Sequence, residues 1–210
     1  MRILKKVRFI LVLISFSVCL GLMSSTYSRY VADATSNIEV LFAKWQILVN
    51  NTDITSNSSS TITFVPVIEE NNYVESNTVA PSSKGYFDIA VDPSNVGVSF
   101  KYTINLAVAN ENMPDLMITK YSIIPSTYVE GDPLEVTNLT NNTITNTLNF
   151  DKNITSFKFT PFTIRVYFEW YEGTGETMTD TEDTAVGLSA VTDNTKFQMT
   201  ANINFEQIFE

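Results

Sequence analysis

VSFKYTINLAV, residues 98–108, decides the fold. Val98, Phe100, Tyr102, Ile104, Leu106 and Val108 fall on one side of an extended chain; Ser99, Lys101, Thr103, Asn105 and Ala107 fall on the other. Successive side chains of a strand point to opposite faces, so this period of two predicts one buried and one wet face. That is the pattern of an antiparallel sheet.

The same period recurs outward in both directions. Phe87, Ile89 and Val91 alternate with Asp88, Ala90 and Asp92, and a turn is read at Asp92-Pro93-Ser94-Asn95. Met117–Ile124 reads as a strand stopped by Pro125, and a further strand is expected around Ile144–Phe150. Ile154–Phe159 is a short piece. Phe162, Ile164, Val166, Phe168 and Trp170 form a strong half-buried pattern, as do Phe197, Met199, Ala201, Ile203 and Phe205. Towards the N-terminus, Thr61–Val67 reads as a short strand. Ile38, Val40 and Phe42 alternate, after which the apolar phase passes to Trp45, Ile47 and Val49, predicting a bulge or break near Ala43–Lys44. Glu172–Asp193, acidic and containing Gly and Thr, reads as a loop. Short strands separated by turns predict an all-β fold: an antiparallel β-sandwich, jelly-roll-like, preceded by a helical N-terminal signal segment.

That segment starts with Arg2, Lys5, Lys6 and Arg8, then runs uncharged from Phe9 to Met23. A basic head on a short apolar run is an export pattern, since a spanning helix takes about 20 apolar residues. Thr26 and Ser28 suit a cut between Ser28 and Arg29; Ala32 and Ala34 suit a second choice between Ala34 and Thr35. The expected organisation is a signal peptide over 1–28 and a single sandwich domain over 29–210. Residues 29–37 would form a flexible arm, and contact with a membrane would come only through an uncleaved signal segment.

The chain has 210 residues and 13 Lys and Arg against 23 Asp and Glu, a net charge of −10. Residues 1–28 hold four basic and no acidic residues, so their removal leaves −14. Such a surface repels phosphate backbones and argues against nucleic-acid partners. The single cysteine, Cys19, lies in the segment expected to be removed, so a disulfide does not enter the mature fold. Histidine is absent, which excludes Ser-His-Asp and Cys-His nucleophilic machinery and every histidine zinc site.

The junction Ser25-Thr26-Tyr27-Ser28-Arg29-Tyr30, following a short apolar core, resembles that of TasA- and camelysin-like proteins. Ala43-Lys44-Trp45, Gly85-Tyr86-Phe87 and Ile203-Asn204-Phe205-Glu206-Gln207 are similar in general character to the same family. The resemblance implies a jelly-roll-like fold and export from a Gram-positive bacterium through a SipW-type signal peptidase. It also implies a biofilm-matrix or cell-surface role, with the freed N-terminal segment adding as a strand to the next subunit. Here the strand-donor arm would comprise Arg29, Tyr30, Val31, Ala32, Asp33 and Ala34; the family's usual aromatic-acidic start is absent from it. The metalloprotease activity described for camelysin does not carry over, because there is no HExxH and no histidine.

Three groups of residues are candidate sites. Asp180, Glu182 and Asp183 could offer oxygens to calcium, although the EF-hand spacing is missing and a solvated acidic loop is the simpler account. Asp88 and Asp92 share a strand face, where solvated carboxylates are commoner than acid–base pairs. Trp45, Trp170, Tyr167 and Tyr171 could make a sugar platform, but the apolar register of both tryptophans favours core packing. No cofactor other than this calcium is expected, and no enzyme: neither a nucleophile–base pair nor a metal constellation can be assembled. The reading is therefore of a secreted, extracellular structural subunit that associates with itself or with related matrix proteins, meeting a signal peptidase during export. The alternative is a carbohydrate- or calcium-dependent surface adhesin.

Overall fold

The computed structural model describes residues 2–29, 40–55, 62–108, 113–193 and 198–208. The chain divides into two compact units, Met1–Leu41 and Phe42–Glu210. In the first, α1 (Arg2–Arg29) is a helix that continues through Ser28. At 1.5 Å per residue its uncharged stretch, Phe9–Met23, covers roughly 22 Å, short of a bilayer core of about 30 Å. Among the described residues no helix is long and apolar enough to cross a membrane. Tyr30, Val31, Ala32, Asp33, Ala34 and Thr35, hence most of the arm and the second cut position, lie outside the described residues.

The second unit is mostly strand, in two antiparallel sheets. The larger contains β1 (Leu48–Val49), β2 (Thr52–Asp53), β3 (Val67–Ile68), β4 (Lys84–Asp92), β6 (Leu116–Pro125), β7 (Thr137–Asn138) and β9 (Phe162–Trp170). Its order is β2-β1-β4-β9-β6-β7, with β3 also paired to β4. The smaller contains β5 (Phe100–Val108), β8 (Thr143–Leu148) and β10 (Met199–Gln207) in the order β10-β5-β8. The inward residues of β4, β5 and β9 follow the alternation read from sequence and belong to one buried cluster. Tyr102 of the smaller sheet stacks on Phe162 of the larger, ring centroids 5.7 Å apart. Trp170 is buried, as its register required, and Trp45 packs edge-on against Phe100 at 6.2 Å.

Several expectations are corrected. Glu172–Asp193 is not all loop: Asp180–Asp193 forms α2, a second helix in a chain read as having none outside its signal segment. Its cause is a capping box. Thr179 stands at the N-cap, and Glu182 reaches back to accept from the Thr179 amide (2.8 Å) and hydroxyl (3.0 Å). The signature Thr-x-x-Glu was present in the sequence, concealed within a run of acids. Of the pattern read from Ile38 to Val49, Ile38 and Glu39 lie outside the described residues, residues 40–47 join no ladder, and only Leu48–Val49 is strand; the Lys44 carbonyl, at the expected break, accepts from the Gly97 amide. Thr61–Val67 becomes β3, with Ile62–Pro66 outside any ladder. Ile154–Phe159 is not a strand but a turn leading into an irregular segment, held by bonds from the Ile154 amide to the Asp151 carbonyl and from the Phe157 amide to the Ile154 carbonyl. Its aromatic residues still pack, Phe157 lying 5.0 Å from both Phe150 and Phe159.

Two hairpin turns use consecutive asparagines at positive φ: Asn50 and Asn51 (47° and 64°) between β1 and β2, and Asn141 and Asn142 (52° and 51°) leading into β8. Both central residues at positive φ define the type I′ turn, whose twist matches that of the flanking strands. Asparagine tolerates this region and alanine does not. Replacing Asn51 by Ala should cost about 1 kcal/mol in urea unfolding, whereas Asn51→Gly should be neutral or stabilising.

Candidate functional site

The face of the β4–β9 pair turned away from the core is occupied by its own ion pair. Asp88 and Arg165 stand opposite each other and share two hydrogen bonds of 2.9 Å, while the guanidinium lies 3.9 Å over the Tyr86 ring. The Asp88 carboxylate, first among several influences, holds the Arg165 guanidinium well above its usual range. Asp92 instead accepts from the Ser94 amide at 2.9 Å. The two acids thus have separate structural partners and are not arranged as an acid–base pair. Tyr167 pairs across strands with Tyr86, ring centroids 6.3 Å apart, while the Tyr171 hydroxyl donates to the Thr174 carbonyl. The four aromatics proposed as a platform are therefore dispersed.

The acidic stretch is structural too. Glu182 is the capping residue, and Asp180 and Asp183 lie in the first helical turn, where carboxylates complement the helix dipole. Among the described residues no three acidic or thiol groups are assembled to hold a metal, so the candidate ligand set is not formed. Burial and the neighbouring charges of Asp183, Glu176, Asp180 and Asp115 push the Glu172 carboxyl up.

Sequence reading missed Asp115. It is 2 % exposed, and its carboxylate accepts from the Thr177 amide (2.8 and 2.9 Å) and the Met178 amide (2.6 Å), pinning the approach to α2 against the start of β6. Burial acts to raise this carboxyl, but the amides of Met178 and Thr177 and the Thr177 side chain outweigh it, and the net shift is downward. A lowered folded value makes the anchor fully stabilising above the ordinary carboxylate range of about 4, and its contribution fades as pH falls through the folded value. Asp115→Asn should cost about 2 kcal/mol at pH 7. The difference from the parent in urea unfolding should shrink as the pH falls from the ordinary carboxylate range, about 4, through the lower folded value.

The arrangement that stands out is the edge of β10. The amide of Ile208 bonds the Ser99 carbonyl, and the amide of Leu106 bonds the Asn142 carbonyl. These two bonds fix which neighbour each β5 residue faces: odd-numbered residues turn to β10 and even-numbered ones to β8. Thr200, Asn202, Asn204 and Glu206 therefore bond β5, while the backbone groups of Ala201, Ile203 and Phe205 point away from it, to an edge with no neighbouring strand among those described. By the same logic the outer amides of β8 belong to Thr143, Thr145 and Thr147. Thr143 bonds Thr140 and Thr147 bonds the Asn146 side chain, so that edge is largely occupied locally. In the larger sheet the edge strands β2 and β7 have only two residues each. The nine residues of β10 contain neither Pro nor Lys, the usual devices that protect an edge.

The core is also incomplete at this edge. The inward residues of β5, Phe100 to Leu106, are at most 5 % exposed, whereas Met199, Ala201, Ile203 and Phe205 of β10 remain half-buried. Two cavities of about 340 and 700 Å3 lie along the strand and share Ile62, Phe64, Thr200 and Ala201 in their walls. Trp45, Ile54, Ile203 and Phe205 line the larger, and no charged side chain lines either. Across the groove Ile62–Pro66 joins no ladder, with the Phe64 ring 5.6 Å from that of Phe87.

The chain matches no family model and no curated protein. The groove therefore has to be read from its own chemistry. Unpaired edge amides, half-exposed apolar side chains and an uncharged lining suit an extended polypeptide better than a small polar substrate. Sequence alternation alone could not find this site, because Met199–Phe205 carries the same pattern as the centrally placed Phe100–Leu106.

Proposed function

We propose that this protein is an exported structural subunit of a Gram-positive extracellular matrix or cell surface, of TasA- and camelysin-like type. On this reading its two sheets form a jelly-roll-like β-sandwich that lacks one strand beside β10. Copies join when the N-terminal segment of one, freed near Arg29, adds to β10 of the next. The observation that carries the reading is the long unprotected edge of β10 beside a half-exposed stretch of core. An added strand would satisfy the outward backbone groups of Ala201, Ile203 and Phe205 and cover the apolar groove. Donor segment and acceptor edge are different surfaces, so the contact is heterologous and its repetition gives an open filament unless the rotation closes. The absence of histidine and the dispersal of the carboxylates agree with a role in association rather than turnover.

Ala201→Pro tests this directly. It removes an outward amide without touching a β5 bond, which an edge strand tolerates. The full chain, exported from a Gram-positive host and collected from the medium, should assemble into sedimentable fibres; the variant should remain monomeric with a similar Tm. Asn202→Lys, whose side chain points to solvent, should weaken assembly in the same direction. Fibres from Ala201→Pro at the parent level, or a parent that stays monomeric at high concentration, would overturn the reading.

A further inference from the structure

Building on that self-association, the exposed apolar surface suggests which residues enter the groove. Val40, Leu41 and Phe42 are 78, 96 and 98 % exposed. Three consecutive apolar residues held in water are costly, and such a surface ordinarily marks an interaction site. Their pattern continues that of Ile38, so that Ile38, Val40 and Phe42 fall on one face of an extended strand and Glu39 on the other.

The groove asks for that pattern. Its walls are Trp45, Ile54, Ile62, Phe64, Ile203 and Phe205, with uncharged polar residues between them. A strand lying beside β10 presents every second side chain inward, so the occupant needs bulky apolar residues at alternate positions and its charge on the outer face. Residues 38–42 meet both requirements. The segment nearer the expected cut does not: its alternate positions offer either Arg29, Val31 and Asp33, which bring two charges into an uncharged groove, or Tyr30, Ala32 and Ala34, of which two are too small to fill it.

We propose that the strand received beside β10 is the segment around Val40–Phe42 of a second copy, and that residues 29–34 serve as a leader to it. The recognition is hydrophobic and positional. Val40 and Phe42 supply the buried side chains, and the backbone around Leu41 supplies the hydrogen bonds to the β10 edge.

Two double variants of the full exported chain separate this assignment from the broader reading. Val40→Asp with Phe42→Asp should lower the sedimentable fraction at least tenfold while leaving Tm unchanged, since both side chains are solvent-exposed in the single copy. Tyr30→Asp with Ala32→Asp should assemble like the parent. Hydrogen exchange should show the Ala201, Ile203 and Phe205 amides protected in parent assemblies and unprotected in the Val40/Phe42 variant. If the Val40/Phe42 variant assembles normally while Ala201→Pro does not, the segment assignment fails and strand addition at β10 stands. If both assemble normally, both fail. Protection of the β10 amides in dilute monomeric parent protein would overturn the assignment to a second copy, because the groove would then be filled within one chain.

Discussion

The body of this protein depends on burying the inward face of β5. Phe100, Tyr102 and Ile104 are enclosed almost completely, with the larger sheet in front of them and neighbouring strands on both sides. A strand in that position has its backbone bonds satisfied and its side chains covered, and both requirements have to be met together. Moving one strand outward, to β10, both conditions lapse at once. Among the described residues the backbone has a strand partner on one side only, and the inward side chains keep part of their surface in water. The unused bonding capacity and the incompletely covered core are thus two consequences of one missing neighbour.

The other borders of the sheets show what protection looks like in the same molecule. β2 and β7 are too short to template a partner. β8 satisfies two of its three outward amides locally, through Thr140 and the Asn146 side chain. Against these, the length of β10 and its freedom from Pro and Lys are an exception. The remaining conspicuous polar features are committed to holding the fold. Arg165 is engaged by Asp88 and Tyr86, Glu182 caps α2, and Asp115 fixes the approach to that helix.

The strands were legible to the extent that their periodicity was long. The patterns read at Phe87–Asp92, Val98–Val108 and Phe162–Trp170 fall on the strands Lys84–Asp92, Phe100–Val108 and Phe162–Trp170, with the expected faces buried. Short patterns were less binding. Ile154–Phe159 supplies Phe157 and Phe159 to the core from outside any strand, because burial requires only that a side chain point inward and not that its backbone join a ladder. The phase change in β6 also escaped sequence reading. The register shifts between Ile118 and Lys120, so the inward set passes from Leu116 and Ile118 to Tyr121, opposite Val166. In α2 a local signal existed in Thr179 and Glu182, but the surrounding acids invited a loop or a metal site instead.

The amino-acid sequence by itself determined the antiparallel strand character, the apolar face of each long strand and the exclusion of histidine chemistry. These follow from side-chain type and a period of two, both local properties. Tertiary structure alone decided which long strand lies at an edge among the described residues, that Asp115 is a buried anchor, and that Val40–Phe42 is exposed. Those outcomes depend on residues far apart in the chain, such as Ser99 with Ile208 and Asp115 with Met178. A central and an edge strand can carry the same alternation, and only the assembled sheet distinguishes the one whose hydrogen bonds are spent from the one whose bonds remain available.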